Sequence, residues 1–497
     1  MICVSVLQES RKLSLVDMLN AAPQCDLIEL RLDKLEKAPD IKEFLSQKRR
    51  PLIVSCRRPQ DGGFWTGSET ERLALLRQCI IDRADYVEIE HDVADQIRPF
   101  PGSQRVISFT NMGSVPENLG DLYDRMRHQH ADVIKLTTLA RTPEEAWPLV
   151  QLVARTSTPT VIVGLGKPGI MLSILGKKVG APWTYAALEH GLEAYPGQVT
   201  VRELNEVYRF GEIDKSTRLV GVTGFSRLQM VLTALLNAGF AAANLPSRCL
   251  PLALGDLGVF RKVIEATKLA AVVLDDSAQN RAAELASSRE PAAEGTGAVD
   301  LLVARENRAW HGYNLFVRAA LGVLEEALRA KGSDTDKPLS DRMVLIVGGN
   351  ALAASLAYGV RKRGGLPILA VRDRGLGQEL AARHQCRYVP LEAIYATTHD
   401  LLVICSDEAL PVTGRTADGP SASIHPGVLR PGTTLLDLTT SPLASPLAEE
   451  AQARGCHVVH PRRVLLETAM AAFHLLTGRP ADRNKLEATC SALLGDA

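Results

Sequence analysis

One lysine stands out as a group that could do covalent chemistry. Lys135 interrupts the apolar run DVIKL, where an ammonium is costly to bury, and that cost favours the neutral amine, a good nucleophile. Other polar residues sit in similar runs. DLIELRLD carries Glu29 and Arg31 on one face at period 2, SCRR places Arg57 at the end of another run, and VEIEHD carries Glu88 and Glu90 on one face. An amine nucleophile with Arg31, Arg57 and Glu90 converging on it is a candidate for covalent chemistry. The plainer alternative is a lysine that snorkels to solvent or pairs with Glu90.

These residues need a frame that brings them together. Eight apolar, β-branched runs recur over the first 190 residues: 2–6, 26–32, 51–56, 85–90, 105–109, 132–136, 160–165 and 183–188. Amphipathic stretches such as Glu71–Ile81 and Leu119–His128 separate them. Continuous apolar strands alternating with helices indicate a parallel sheet covered by helices, and eight units in about 210 residues suit a (β/α)8 barrel. An open doubly wound sheet is the alternative. In a barrel the C-terminal strand ends face the site, where Glu29, Arg31, Arg57, Glu90 and Lys135 fall.

Composition narrows the partners. The 497 residues carry 57 Lys+Arg against 57 Asp+Glu, with no basic block or basic amphipathic stretch, so neither nucleic acid nor a membrane surface is expected. No window approaches about 18 uninterrupted apolar residues, and MICVSVLQES does not read as a signal peptide. A cytoplasmic protein acting on a small molecule is expected, with self-association left open. The nine cysteines are scattered without CxxC or His spacing of metal-site type, so buried thiols are expected and no metal.

The ordered set DLIELRLD, SCRRPQDGG, DYVEIEHD, DVIKL, GLGKPGIMLSILGKKVG and YPGQVTV resembles the type I 3-dehydroquinate dehydratases over nearly all of residues 1–210. The resemblance implies a cofactor-free lyase. In it Lys135 forms an imine with the C3 ketone of 3-dehydroquinate, the C2 proton becomes acidic, and loss of the C1 hydroxyl gives 3-dehydroshikimate. It further implies that Glu29, Arg31 and Arg57 hold the substrate, Glu90 assists proton traffic, and Gln198 closes the site. Two positions depart from the family. Thr110, followed by Asn111, stands where the family has its acid/base histidine, and Leu172-Ser173 stands where it has Ser-Arg. His91 alternates away from Glu90's face, and His128 and His130 end a polar helical stretch.

Beyond a boundary near 216 the strand pattern restarts at LVGVTGF, giving an expected second domain over 216–335 and a third over 336–497. A loop plus a helix end is expected at Ala282–Gly297. MVLIVGGNALAASLAYGVRKRGGLPILAVRDR reads as strand, glycine turn, helix and strand of a Rossmann unit. Gly348 takes the tight turn, Gly349 follows, and Asn350 stands where a glycine would let the backbone approach a pyrophosphate. Arg372 or Arg374 would accept a 2′-phosphate and Asp373 would oppose one. NADP binding and an inherited fold without cofactor both stay open.

GAVDLLV, HGYNLFVRAALGVLEEAL, LLDLTTSPLASPLAEEAQARG and AMAAFHLLTGRPA resemble shikimate dehydrogenase, as in fused dehydratase–dehydrogenase proteins. Its chemical positions are replaced. GFSRLQM stands for Ser-x-Ser, Ala278 and its neighbours for the catalytic lysine segment, Phe316 for the aspartate and Thr468 for a glutamine. Asn314 remains, as a ligand or as a turn residue. The expectation is a shikimate-pathway protein with a dehydratase half and an impaired reductase half. A metabolite-binding or regulatory protein on the same scaffold, or a changed substrate for the second half, are the alternatives.

Overall fold

A computed structural model describes residues 1–258, 269–305, 309–332, 335–406, 411–416, 419–422, 424–439 and 441–495. The chain divides into two compact units, Met1–Leu219 with Pro246–Lys268, and Val220–Leu245 with Leu269–Ala497. The segments on either side of the expected boundary near 336 both fall in the second unit.

In the first unit eight parallel strands run β1 Ile2–Val6, β2 Leu27–Arg31, β3 Leu52–Ser55, β4 Tyr86–Glu90, β5 Gln104–Asn111, β6 Val133–Thr138, β7 Thr160–Gly164 and β8 Thr184–Ala187. Their order is β7-β6-β5-β4-β3-β2-β1-β8, and β8 also lies beside β7, so the sheet curls into a nearly closed ring. Almost every strand residue up to the C-terminal end of β5 is buried, as expected of strands packed inside the ring and covered by helices outside it. The helices start where the sequence provides caps. Ser68 and Glu71 form a reciprocal capping box ahead of Glu69–Ile81, and Thr200 and Glu203 form another ahead of Val201–Glu206. Leu119–His128 buries Leu119, Leu122, Tyr123 and Met126, one helical stripe.

Two loops at the C-terminal ends of the strands are locked together. Gly166 N donates to Pro196 O at 3.0 Å, and Gly197 adopts the left-handed φ of +80. A Cβ at Gly197 would stand 2.3 Å from the Gly166 carbonyl carbon, so only glycine permits this approach. The contact fixes the loop that carries Gln198.

The second unit holds most strands of a mixed sheet and all of a parallel one. In the mixed sheet Leu269–Val273, Leu301–Ala304 and Trp310–Tyr313 pair antiparallel in succession. The segment expected as a loop plus a helix end at 282–297 contains the last residue of the helix Gln279–Ala282, a 3-10 turn at Ala283–Leu285, a two-residue strand at Ser288–Arg289 and a helix at Pro291–Thr296. Pro291 begins that helix and Gly297, at φ +71, ends it, a start and stop the polar composition concealed. The parallel sheet orders its strands 387–390, 366–371, 343–347, 401–404, 434–437 and 457–459. In chain order that is 3-2-1-4-5-6, the Rossmann arrangement.

Candidate active site

Stagger around the ring decides which residues meet. Four charged side chains form one buried cluster in the barrel: Glu29 of β2, Arg57 just after β3, Glu88 of β4 and Lys135 of β6, none more than 7% exposed. Lys135 Nζ donates to Glu88 Oε2 at 2.7 Å and to Glu29 Oε1 at 3.5 Å. Arg57 Nη2 donates to Glu29 Oε1 at 3.0 Å and to Glu88 Oε1 at 3.1 Å. Ser5 and Ser55 hydroxyls donate to Glu29 at 2.7 and 3.1 Å. Two cations and two anions therefore balance in a largely buried space, and such pairing is what lets buried charges persist.

The cluster tunes its members. Burial pushes the Glu29 carboxyl up, but Lys135, Arg57 and Arg31 outweigh it and hold Glu29 well below the usual carboxylate range. Lys135 Nζ also lies 4.0 Å from the centre of the Tyr185 ring, whose electron-rich face favours the cation. The expected lone lysine is thus a lysine with two carboxylate partners.

Above this cluster opens a narrow pocket, lined by Glu29, Arg57, Thr110, Lys135, Thr137 and Tyr185, with Asp61, Met112 and Tyr195 among the remaining walls. Among the described residues, the polar atoms buried here without a partner include Thr137 Oγ1 and Gln198 Nε2. Gln198 is oriented by its other amide atom, since Oε1 accepts from Ala194 N at 2.7 Å. A buried donor without a partner is costly, and a ligand oxygen would relieve it.

Glu90 and Arg31 are placed elsewhere. Glu90 accepts from Arg72 Nη1 at 2.8 and 3.0 Å, and Arg72, reaching in from the helix Glu69–Ile81, also donates to Cys56 O at 2.7 Å. Burial pushes the Glu90 carboxyl up and Arg72 only partly offsets it. Glu90 does not line the pocket that Lys135 lines. Arg31 is bidentate to Asp33 at 2.8 and 2.7 Å, and Asp33 accepts from Phe64 N at 2.9 Å, so the pair pins the loop that follows β3. Arg31 Nη1 is buried without a partner.

The substituted positions have structural employment. Thr110 faces the pocket, whereas Asn111 folds back to accept from Gly113 N at 2.9 Å. Ser173 Oγ accepts from Thr184 Oγ1 at 2.8 Å, inside the wall. His91 packs on Phe109 with ring centres 5.5 Å apart. Sequence reading missed Glu88 as Lys135's nearest partner, although its shared face with Glu90 was visible. It also missed Tyr185 and Arg72, for which no local pattern gave a signal.

In the second unit Gly348 adopts φ +131, and a Cβ there would stand 2.7 Å from Ser406 Oγ, so the turn requires glycine. A Cβ at Gly349 would come within 2.9 Å of side-chain atoms of Val371 and Leu376, which crowd the turn. Asn350 caps the helix Ala351–Lys362, its Oδ1 accepting from Ala353 N at 2.9 Å. Its Nδ2 donates to Asp276 Oδ2 and to Cys405 O, both at 2.9 Å. Asp373 caps the helix Arg374–His384 by accepting from Leu376 N at 3.0 Å, which sets a carboxylate between Arg372 and Arg374. Asn314 is buried and donates to Thr296, Ala298 and Ser355, the geometry of a structural residue. The described cysteines are all free thiols and all but Cys386 are buried. Among the described residues no group of three or more His, Cys, Asp or Glu is placed to hold a metal, and no helix is long and apolar enough to cross a membrane.

Comparisons with known proteins agree with the barrel geometry. The family model of type I 3-dehydroquinase matches residues 2–215. The 3-dehydroquinate dehydratase of Methanopyrus kandleri is 31% identical over 189 residues, which cover 37% of this chain and 86% of that protein. The chloroplastic bifunctional 3-dehydroquinate dehydratase/shikimate dehydrogenase of Arabidopsis thaliana is 24% identical over 503 residues, covering 97% of this chain and 83% of that one. Among solved structures, the dehydroquinate dehydratase and shikimate dehydrogenase of S. pombe AroM aligns over 98% of both chains with 18% identity and a TM-score of 0.43.

Proposed function

The chain belongs to the type I 3-dehydroquinase family, and from that premise we propose that its barrel dehydrates 3-dehydroquinate to 3-dehydroshikimate through an imine on Lys135. The observation that carries this reading is the Lys135 ammonium held 2.7 Å from Glu88 beneath the pocket. An amine attacks only when neutral, so the ammonium must pass a proton on, and Glu88 is the acceptor in contact with it. The amine adds to the C3 carbonyl, whose oxygen leaves as water. The resulting cationic imine draws electrons from the C2–H bond, and departure of the C1 hydroxyl with a proton as a second water forms the ring double bond. Water then cleaves the imine and returns Lys135.

Glu29 and Arg57 orient the substrate in this scheme. Arg57 spends Nη2 on the two glutamates, and its remaining N–H groups suit a carboxylate. Gln198 Nε2, buried and unpartnered, donates to a substrate oxygen. Arg31 acts through Asp33 on the loop over the pocket, and Glu90, held by Arg72, supports that wall. Thr110 cannot titrate near neutral pH, so proton transfer rests on Glu88 and turnover is slow. Production of 3-dehydroshikimate by the full chain, followed by its enone absorbance, tests the scheme. Formation that is lost in Lys135→Ala supports it, and undiminished formation in that variant removes it.

The whole chain is a fused shikimate-pathway protein, with the dehydratase barrel ahead of a shikimate dehydrogenase-like half, and we place it in the cytoplasm. Reduction by that second half is impaired in our reading. A nicotinamide dinucleotide would supply hydride there, yet the residues present do not fit its pyrophosphate. Asn350 already takes the Ala353 N–H that a phosphate would use, and Val371 and Leu376 crowd Gly349. Phe316 stands where the resemblance requires an aspartate. A metabolite-binding protein without turnover is the second reading, favoured by Thr110 in the pocket and by the diversion of Glu90 to Arg72.

A further inference from the structure

The second unit contains a cavity of about 100 Å³ whose chemistry does not match a polyhydroxylated acid. Its walls are formed largely by Leu228, Leu232, Val273, Leu315, Phe316 and Leu465. Its hydrogen-bonding groups are few and mostly committed. Thr468 Oγ1 donates to Val464 O within its own helix at 2.8 Å, and Gln229 Oε1 accepts from the Ser226 hydroxyl. What remains is the Gln279 amide, Gln229 Nε2 and three carboxylates. Asp275, Asp276 and Asp300 all line the cavity, and no lysine, arginine or histidine does so among the described residues.

The three carboxylates differ in how they are held. Asp300 accepts from Leu315 N at 2.7 Å and Phe316 N at 2.6 Å, so both its oxygens serve the start of the helix Leu315–Ala330. Asp275 accepts from the hydroxyls of Thr223 and Ser277. Asp276 accepts from Asn350 at 2.9 Å and from the Leu352 backbone N–H, and no lysine, arginine or histidine among the described residues lines the cavity with it. A carboxylate has about four acceptor sites, so Asp275 and Asp276 retain capacity toward the cavity. A ligand anion would meet repulsion with no counter-charge and few donors. A ligand cation would be attracted, and an apolar body would satisfy the leucine and phenylalanine walls.

We propose that this cavity binds a small molecule with an apolar body and a cationic amine, the amine lying against Asp275 and Asp276. Burial pushes the Asp276 carboxyl up and neighbouring Asp275 pushes it further, a penalty that a bound ammonium relieves. The site is separate from Lys135 and does not depend on the dehydratase reading, since every residue that forms it belongs to the second unit.

A matched series on the full chain tests this: phenylbutylamine, phenylbutanol and phenylbutyrate share a body and differ in the head group. By titration calorimetry at neutral pH the amine should bind at least about tenfold more tightly than the carboxylate, the value of one charge-assisted hydrogen bond, with the alcohol between. Asp276→Asn should reduce the amine's advantage about tenfold, and Leu232→Trp, which fills the cavity, should abolish binding of all three. Dehydratase turnover by the barrel should be unchanged in both variants, which separates loss of this site from loss of the protein. The proposal is overturned if phenylbutyrate binds as tightly as the amine, if none of the three binds at millimolar concentration, or if Asp276→Asn leaves the preference intact.

Discussion

Replacing Glu88 by glutamine isolates the proton-transfer role assigned to it. The substitution keeps the side chain's size and one acceptor oxygen but removes the base 2.7 Å from Lys135 Nζ. Glu29 remains as a second acceptor at 3.5 Å, a longer contact and a weaker base, because Lys135, Arg57 and Arg31 outweigh its burial and hold its carboxyl low. General acid/base assistance is typically worth about 10²–10⁴ in rate, and a poor surrogate recovers part of that, so kcat should fall about 10²- to 10³-fold, or roughly 3–4 kcal/mol in barrier. KM should change less than about threefold, because Glu88 lies beneath the pocket and does not line it. Steady-state and single-turnover assays on Glu88→Gln and Glu90→Gln, with thermal unfolding to confirm that both fold, give the comparison. A Glu88→Gln enzyme with near-normal kcat, beside a Glu90→Gln enzyme that has lost it, would refute the assignment and return the role to Glu90.

Three further outcomes are expected. Thr110→His places a titratable ring at the pocket wall and should raise kcat about 10-fold or more, with a new inflection near neutral pH in the rate profile; an unchanged rate would show that proton transfer is not what limits turnover. Full-length protein should show no saturable NADPH binding by fluorescence, and Asn350→Ala, which removes a helix cap, should lower the stability of the second unit by about 1 kcal/mol in denaturant titration; tight NADPH binding would contradict the account of the glycine turn. Asp300 is pushed by burial from its ordinary 3.8 to about 7, so between those pH values the folded state holds a proton that the unfolded chain has lost. Stability of the second unit should therefore decline as pH rises from about 4 to 7, and calorimetric scans of Asp300→Asn should show that decline flattened.

Much of the barrel is legible from local pattern because each strand is buried on both sides and reads as an unbroken apolar run. Lys135 was visible for the same reason, as a lysine inside such a run. Its partner was not, because the choice between Glu88 and Glu90 depends on how β4 is staggered against β6, and one residue pair along a strand shifts a side chain by a whole layer. Arg72 carries no strand signal; it lies on the helix after β3 and is drawn inward only because Glu90 is there to receive it. In the second half the replaced positions at Asn350 and Phe316 were readable, but the use made of them was not. Asn350's bonds to Asp276 and Cys405 join segments 74 and 55 residues apart, a relation only the fold creates.

The central claim is that Lys135 forms an imine, and trapping tests it most directly. Borohydride reduction of the full chain with 3-dehydroquinate, followed by intact and peptide mass spectrometry, converts an imine to a stable secondary amine even when turnover is slow. A single adduct on the peptide containing Lys135, absent without substrate and absent in Lys135→Ala, is the expected result. Substrate that binds by calorimetry yet leaves Lys135 unmodified would contradict the account and favour a protein that holds its ligand without chemistry.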